Sequence, residues 1–284
     1  LPGVQNDHFF DALYAAKDRI RPIHTRHEQG AAYMALGAAM ATGKPAAYCV
    51  VPGPGVLNTT AALCTAYACN APVLALTGQI PQKQIGAGYG FLHELPDQLG
   101  TMRSLTKWAE RITGPHNAQP LVNEAFRQMQ SGRPRPVALE CAIDVWGRRG
   151  ELTREPIREV LPIALDANLV ARAAELLTGA VNPVIVVGGG AQHAAAQVQA
   201  LSTLLQAPVI SNRMGRGIVD SNAPLSVIWT VGHRLWREAD VVLAVGTRLQ
   251  VQQMAWGVKP GTKIIRIDVD AEEIERFAPP TVGI

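Results

Sequence analysis

The chain of 284 residues carries 26 Lys and Arg against 23 Asp and Glu, a net charge of +3, with 17% of residues charged and 48% hydrophobic. That balance excludes a disordered or solvating chain and predicts a folded one with a large core. The small basic excess forms no run, which excludes nucleic acid as the implied partner, and the length is that of two domains at about 100–200 residues each.

The opening Leu1-Pro2-Gly3-Val4 carries no basic leader and no apolar signal core, and reads as the interior of a longer protein. Arg26-His27-Glu28-Gln29-Gly30-Ala31-Ala32 leads into a predicted helix over residues 29–41. Glu28 has two readings. An acid in a first turn complements the helix dipole; an acid in apolar surroundings has a raised pKa and exchanges a proton near neutrality.

From Pro45 to Gln82, thirty-eight residues contain no Asp, Glu, Lys, Arg or His. Five prolines cut this stretch into pieces too short for a membrane span, which needs about 20 apolar residues, so no membrane partner is expected. Strands are predicted at 46–51 and 73–77, with a helix at 56–69 between them. Gly53-Pro54-Gly55, followed by Asn58, is either a tight strand-to-helix turn or a ligand-holding loop at a strand's carboxyl end. A helix at 117–131 and a strand at 137–142 complete this half. Cys49, Cys64, Cys69 and Cys141 form no CxxC pair and have no zinc-spaced His, so they read as small buried hydrophobes of a reducing, cytoplasmic compartment, and no metal ligand is expected.

Residues 146–162 are rich in Arg and Glu, hold Pro156 and Pro162 and lack apolar periodicity, which marks a linker. The predicted organisation is a domain at 1–150, a linker at 151–164 and a second domain at 165–284. In the second domain, strands are predicted at 184–187, 209–211, 241–245 and 264–267, and helices at 167–178, 194–205 and 234–239. Gly188-Gly189-Gly190 follows the first of these strands, either as a nucleotide-binding turn or to let the next helix pack closely. Gly246 and Arg248 follow the third strand, where Arg248 would bind phosphate or pair with an acid. Asp268 is a ligand candidate at the end of the fourth strand, whereas Asp270 with Glu273 fits a helix cap. Trp229, Trp236 and Trp256 supply packing area. The strand and helix alternation predicts the α/β class: two Rossmann-like domains with parallel sheets flanked by helices.

His27-Glu28-Gln29-Gly30-Ala31-Ala32, Gly53-Pro54-Gly55 with Asn58, Thr77-Gly78-Gln79-Ile80-Pro81, Arg103-Ser104-Leu105-Thr106-Lys107-Trp108 and Ser131-Gly132-Arg133-Pro134 occur in one order. Together they resemble the pyrimidine-binding domain of thiamine diphosphate-dependent enzymes, particularly the acetolactate synthase-like group. The resemblance implies a thiamine diphosphate-binding fold followed by a DHS-like nucleotide-binding central domain. It implies that Glu28 bonds the cofactor's aminopyrimidine and favours the imino tautomer, which allows the ylide and then an enamine to form on a 2-oxo acid substrate. It sets Pro2, Gly3, Gly53, Pro54, Gly55 and Asn58 beside the cofactor.

At residues 86–98 the sequence departs from the synthase pattern. His93 falls where that pattern has glutamine, as a candidate proton donor or acceptor, with Glu94 at the following acid. Decarboxylase and lyase chemistry therefore stand open beside a synthase-type transferase. In the central domain, Gly188, Gly189, Gly190, Gly246, Arg248 and Asp268 would line FAD, ADP or no nucleotide. The resemblance further implies a C-terminal third domain, outside this sequence, that holds Mg²⁺ and the diphosphate, a homodimer or homotetramer, and a fragment inactive by itself. The alternative is a non-catalytic Rossmann-like nucleotide-binding or regulatory module.

Overall fold

The chargeless stretch folds into the buried strands of a parallel sheet. A computed structural model describes all residues, 1–284, and divides them into two units, Leu1–Leu161 and Pro162–Ile284. In the first unit β1 (Ala46–Val50), β2 (Val73–Gln79), β3 (Trp108–Ile112) and β4 (Val137–Ala142) form a four-stranded sheet in the order β1-β2-β4-β3. Every pairing is parallel, with Val50 opposite Thr77 and Leu74 opposite Val137. All six residues of β4 are buried, as a strand covered on both faces requires.

The first unit's helices are α1 (Asp7–Ala15), α2 (Glu28–Thr42), α3 (Pro54–Leu57), α4 (Thr60–Cys69), α5 (Gln98–Leu105), α6 (Pro115–Gln130) and α7 (Ile143–Trp146). One core cluster joins α2 and α4 to one face of the sheet through Leu36, Ala39, Val50, Leu63 and Ala66. A second joins α6 to the other face through Ala125, Met129, Val137 and Leu139.

Helices α1, α5 and α7 have no counterpart among the sequence expectations, and three further departures occur here. The helix expected at 56–69 is two helices, broken at Asn58 and Thr59. β3 was not expected, because it lies at the sheet edge and carries Glu110 and Arg111, charges that an edge strand tolerates. Of the four cysteines expected in the core only Cys141 is buried; Cys64 sits on the exposed side of α4, and all four are free thiols.

In the second unit β5 (Pro183–Val187), β6 (Val209–Ser211), β7 (Ser226–Val227), β8 (Val241–Val245), β9 (Lys263–Ile267) and β10 (Val282–Gly283) form a sheet in the order β10-β9-β8-β5-β6-β7, again parallel throughout. The helices are α8 (Ala167–Thr178), α9 (Ala195–Leu205), α10 (Trp229–Glu238) and α11 (Ala271–Glu275). The chain leaves β5 for β6 on one side and returns to β8 on the other, which makes the carboxyl ends of β5 and β8 the topological switch point. Asp270 caps α11 by accepting from the Glu272 N–H. Both units are α/β, with all-parallel sheets flanked by helices, as the sequence predicts. No helix is long and apolar enough to cross a membrane.

Candidate active site

Glu28 owes its place to the residue before it. His27 has extended backbone and caps α2, its Nδ1 accepting from the Gln29 N–H at 3.1 Å, so Glu28 is the first helical residue. Asn58 Nδ2 donates to Glu28 Oε2 at 3.0 Å. Asn58 reaches that position because the chain breaks between α3 and α4. Buried Thr59 pins the break, its Oγ1 donating to the Val56 carbonyl at 2.7 Å and accepting from the Tyr48 hydroxyl at 3.0 Å. Burial raises the Tyr48 phenol's pKa, so it stays a neutral donor to Thr59. Glu28 is half-buried and Asn58 exposed, so this unit by itself does not provide the apolar enclosure expected around the acid.

The glycine loop is held from beneath. Gly53 has φ +59, and a Cβ there would lie 2.5 Å from the His93 carbonyl oxygen, so only glycine fits under that chain. Its N–H donates to Gln98 Oε1 at 2.9 Å. Gln98 Nε2 in turn donates to the Gly78 carbonyl at 3.1 Å and to Glu140 Oε2 at 2.9 Å. Glu140 is 1% exposed and is balanced by Arg111, whose Nε lies 2.5 Å from Oε1. A carbonyl and a carboxylate only accept, so together they fix which end of the Gln98 amide faces Gly53.

Sequence reasoning missed Gln98, Glu140 and Arg111. The available signal was Glu140 itself, a lone acid inside an otherwise apolar strand. Pro54 is the first residue of α3, a position that suits proline. Gly3 and Gly55 both pack on Val51, where a Cβ would come within 2.4 and 2.7 Å of its methyl groups. Pro2 is exposed.

In the loop at residues 86–98, His93 has φ +69, a left-handed conformation uncommon outside glycine. Its Nδ1 lies 3.1 Å from Gln5 Oε1. Glu94 closes the loop internally, its carboxylate accepting from the Gly88 and Phe91 N–H groups at 3.1 and 2.9 Å. The structure therefore brings His93 over Gly53 and joins Asn58 to Glu28.

In the second unit the loops after β5 and β8 meet backbone to backbone. A Cβ on Gly188 would lie 2.3 Å from the Gly246 oxygen, and one on Gly190 would lie 2.8 Å from Gly246 Cα. The Gly190 N–H donates to the Gly246 carbonyl at 3.1 Å, and Gly246 has φ +55. Close packing accounts for these three glycines. Gly189 starts a 3-10 helix over Gly189–Ala194, so α9 begins only at Ala195. Arg248 is exposed and Asp268 half-buried, its Oδ1 accepting from the Asp270 N–H at 3.1 Å.

The buried cation of this unit is Arg266, which sequence reasoning also missed. Its Nη2 donates to the Thr247 carbonyl at 2.9 Å, and burial lowers its pKa against the opposing pull of Asp268. Trp229 and His233 both pack at a tilt against Trp256, with ring centroids 4.7 and 5.1 Å away, and Trp236 donates to the Gly257 carbonyl at 2.5 Å, so these rings pack as one group.

Glu28 suits an aminopyrimidine. Asn58 occupies Oε2, while no protein hydrogen bond reaches Oε1, which leaves one carboxyl oxygen to share a proton with a ring nitrogen.

Residues 1–101 match the thiamine pyrophosphate enzyme N-terminal TPP binding domain, and residues 170–284 match the thiamine pyrophosphate enzyme central domain. The chain is 33% identical over 297 residues to a probable 2-ketoarginine decarboxylase of Pseudomonas aeruginosa, 34% over 304 residues to an acetolactate synthase of Arthrospira platensis, and 30% over 294 residues to the large subunit of acetolactate synthase isozyme 1 of Escherichia coli. Each alignment covers 100% of this chain and 52% of the relative, so the chain spans about half the length of the curated relatives it matches.

Proposed function

The chain belongs to the thiamine pyrophosphate enzyme family, and from that premise we propose that its first unit binds the pyrimidine end of thiamine diphosphate at Glu28 in an enzyme that cleaves or forms a C–C bond of a 2-oxo acid. The observation that carries the reading is the Asn58 to Glu28 hydrogen bond, which orients the carboxyl group and leaves Oε1 for the ring. When bound, the cofactor supplies a nucleophilic carbon and an electron sink for the bond next to the carbonyl. Glu28 holds or gives up a proton at Oε1, and Asn58 keeps its other oxygen in place. The backbone at Gly53 lines the cofactor, fixed from below by Gln98. Gly3 and Gly55 serve by letting the chain close on Val51.

His93 exchanges a proton with the reacting carbon, which favours protonation after cleavage over transfer to a second oxo acid. The family comparisons support an enzyme over a non-catalytic nucleotide module, and the relatives include both a decarboxylase and synthases. Mg²⁺ and the diphosphate are held by residues outside these 284. In the second unit the glycines at the switch point are accounted for by packing and select neither FAD nor ADP, so no step runs through a nucleotide there.

The protein works as a homodimer or larger homo-oligomer. Helix α2 is apolar around its whole circumference, and Tyr33, Met34 and Met40 are 41, 48 and 47% exposed. Apolar side chains on every face mark a helix meant to be buried. The four free thiols agree with a reducing, cytoplasmic setting.

The test is consumption of 2-oxo acids by the full-length protein with and without thiamine diphosphate and Mg²⁺. Turnover that requires both supports the reading. Absence of any thiamine diphosphate binding overturns it in favour of the nucleotide module.

A further inference from the structure

Gln5 lies in the 3-10 turn Val4–Asn6, far in sequence from the loop it touches, and is 5% exposed. The turn is lodged against the carboxyl end of β2. A Cβ on Gly78 would come within 2.3 Å of Asn6 Oδ1 and 2.8 Å of the Gln5 carbonyl oxygen, so the absent side chain at Gly78 is what seats Gln5. From there the Gln5 side chain makes two contacts. Nε2 donates to the Leu92 carbonyl at 3.1 Å, and Oε1 faces His93 Nδ1, also at 3.1 Å.

These contacts decide a proton. The Leu92 carbonyl can only accept, so the Gln5 amide must present Nε2 to it; the reverse orientation would set two oxygens against each other. The end left facing His93 is then Oε1, itself an acceptor, and Nδ1 must carry the hydrogen. A neutral imidazole has one donor and one acceptor nitrogen, so Nε2 is left with the lone pair. An exposed histidine side chain favours the opposite tautomer, with the hydrogen on Nε2. The left-handed backbone of His93 shows that the ring is carried on a fixed residue, because a left-handed non-glycine residue persists only where its surroundings over-determine it. Here the Gln5 amide and the chain's close seat on Gly53 do so.

We infer that Gln5 is a positioning residue that locks His93 in the Nδ1–H tautomer and makes Nε2 its proton-accepting atom. This rests on the reading of His93 as the proton-exchanging group and specifies which of its atoms does the work. Gln5 touches no reacting atom in this account; it acts only through the ring.

The experiment uses the full-length holoenzyme with isotope-labelled histidine and long-range proton–nitrogen correlation spectra, with the His93 signals identified by their loss in His93→Asn. The expected spectrum shows the hydrogen on Nδ1. Gln5→Leu, which keeps the bulk and removes the acceptor, should convert His93 to a mixture dominated by Nε2–H. Gln5→Met, an unbranched variant of similar length that also lacks the acceptor, should shift His93 in the same direction. A parental spectrum with the hydrogen on Nε2, or a Gln5→Leu spectrum that keeps Nδ1–H, overturns the inference. If Gln5→Leu does not fold, the parental and Gln5→Met spectra still decide it, and Nδ1–H kept in Gln5→Met overturns the inference. The wider reading fails separately: unchanged turnover in His93→Asn removes His93 from the reaction while the tautomer result stands.

Discussion

Asn58 Nδ2 donates to Glu28 Oε2 across 3.0 Å, tying the break after α3 to the first turn of a helix that begins thirty residues earlier. The bond connects an acid at a helix N-terminus with the one polar side chain that the break turns toward it. Asn58→Ala removes that donor and leaves Glu28 free to rotate. The bond is already made before the cofactor binds, so its loss reaches affinity through the freedom Glu28 must then give up, about 0.5–1.5 kcal/mol for one side chain, and thiamine diphosphate affinity of the full-length enzyme should fall by roughly 2–10-fold. Calorimetric titration measures it, and an unchanged affinity would detach Asn58 from the site.

A second outcome concerns the buried ion pair beneath the glycine loop. Arg111→Met keeps an unbranched apolar stem but removes the cation facing Glu140, whose carboxylate is almost wholly buried. Stripping one partner from a buried pair costs about 3–5 kcal/mol. Urea denaturation should report a loss of that order, together with a weaker hold on Gly53 through Gln98. A loss below about 1 kcal/mol would mean that Glu140 carries no buried charge requiring Arg111.

Stability should also depend on pH through Asp240. Burial alone would raise its pKa, but the backbone N–H groups of Val181, Asn182 and Val241 outweigh burial and hold it below the usual carboxylate range. Because the folded-state pKa is lowered, the contribution is complete above the unfolded value of about 3.9 and is lost as pH falls toward the folded one. Asp240→Ala should cost about 1 kcal/mol at pH 7, a figure reduced from the buried case for partial exposure. The difference from the parent should shrink as the solution is acidified below about pH 4. A gap that widens in acid would have the wrong sign.

The parts of this fold that sequence revealed are those whose pattern is local. The start of α2 is legible because His27 and Glu28 carry the cap and first-turn chemistry themselves, β2 and β4 because both their faces are buried, and β1, although an edge strand, because it is a chargeless apolar run between Pro45 and Pro52. β3 was hidden by its edge position, which lets Glu110 and Arg111 face outward or pair across the sheet. The break at Asn58 has no glycine or proline to announce it; it depends on the buried Tyr48 to Thr59 bond. The Gln98 to Glu140 contact spans 42 residues, and neither partner's neighbours point to the other. In the second unit the glycines were visible, but their packing of loop on loop required the strand order that brings β5 beside β8.

The most direct test of the account is the rate of C2 proton exchange of bound thiamine diphosphate in the full-length enzyme, compared between the parent and Glu28→Gln. Glutamine keeps the shape and the contact with Asn58 but cannot share a proton with the pyrimidine. A positioned acid–base group contributes about 10²–10⁴-fold, so the exchange rate should fall by that factor while the cofactor still binds. Exchange at the parental rate in Glu28→Gln, with the cofactor bound, would contradict the role given to Glu28.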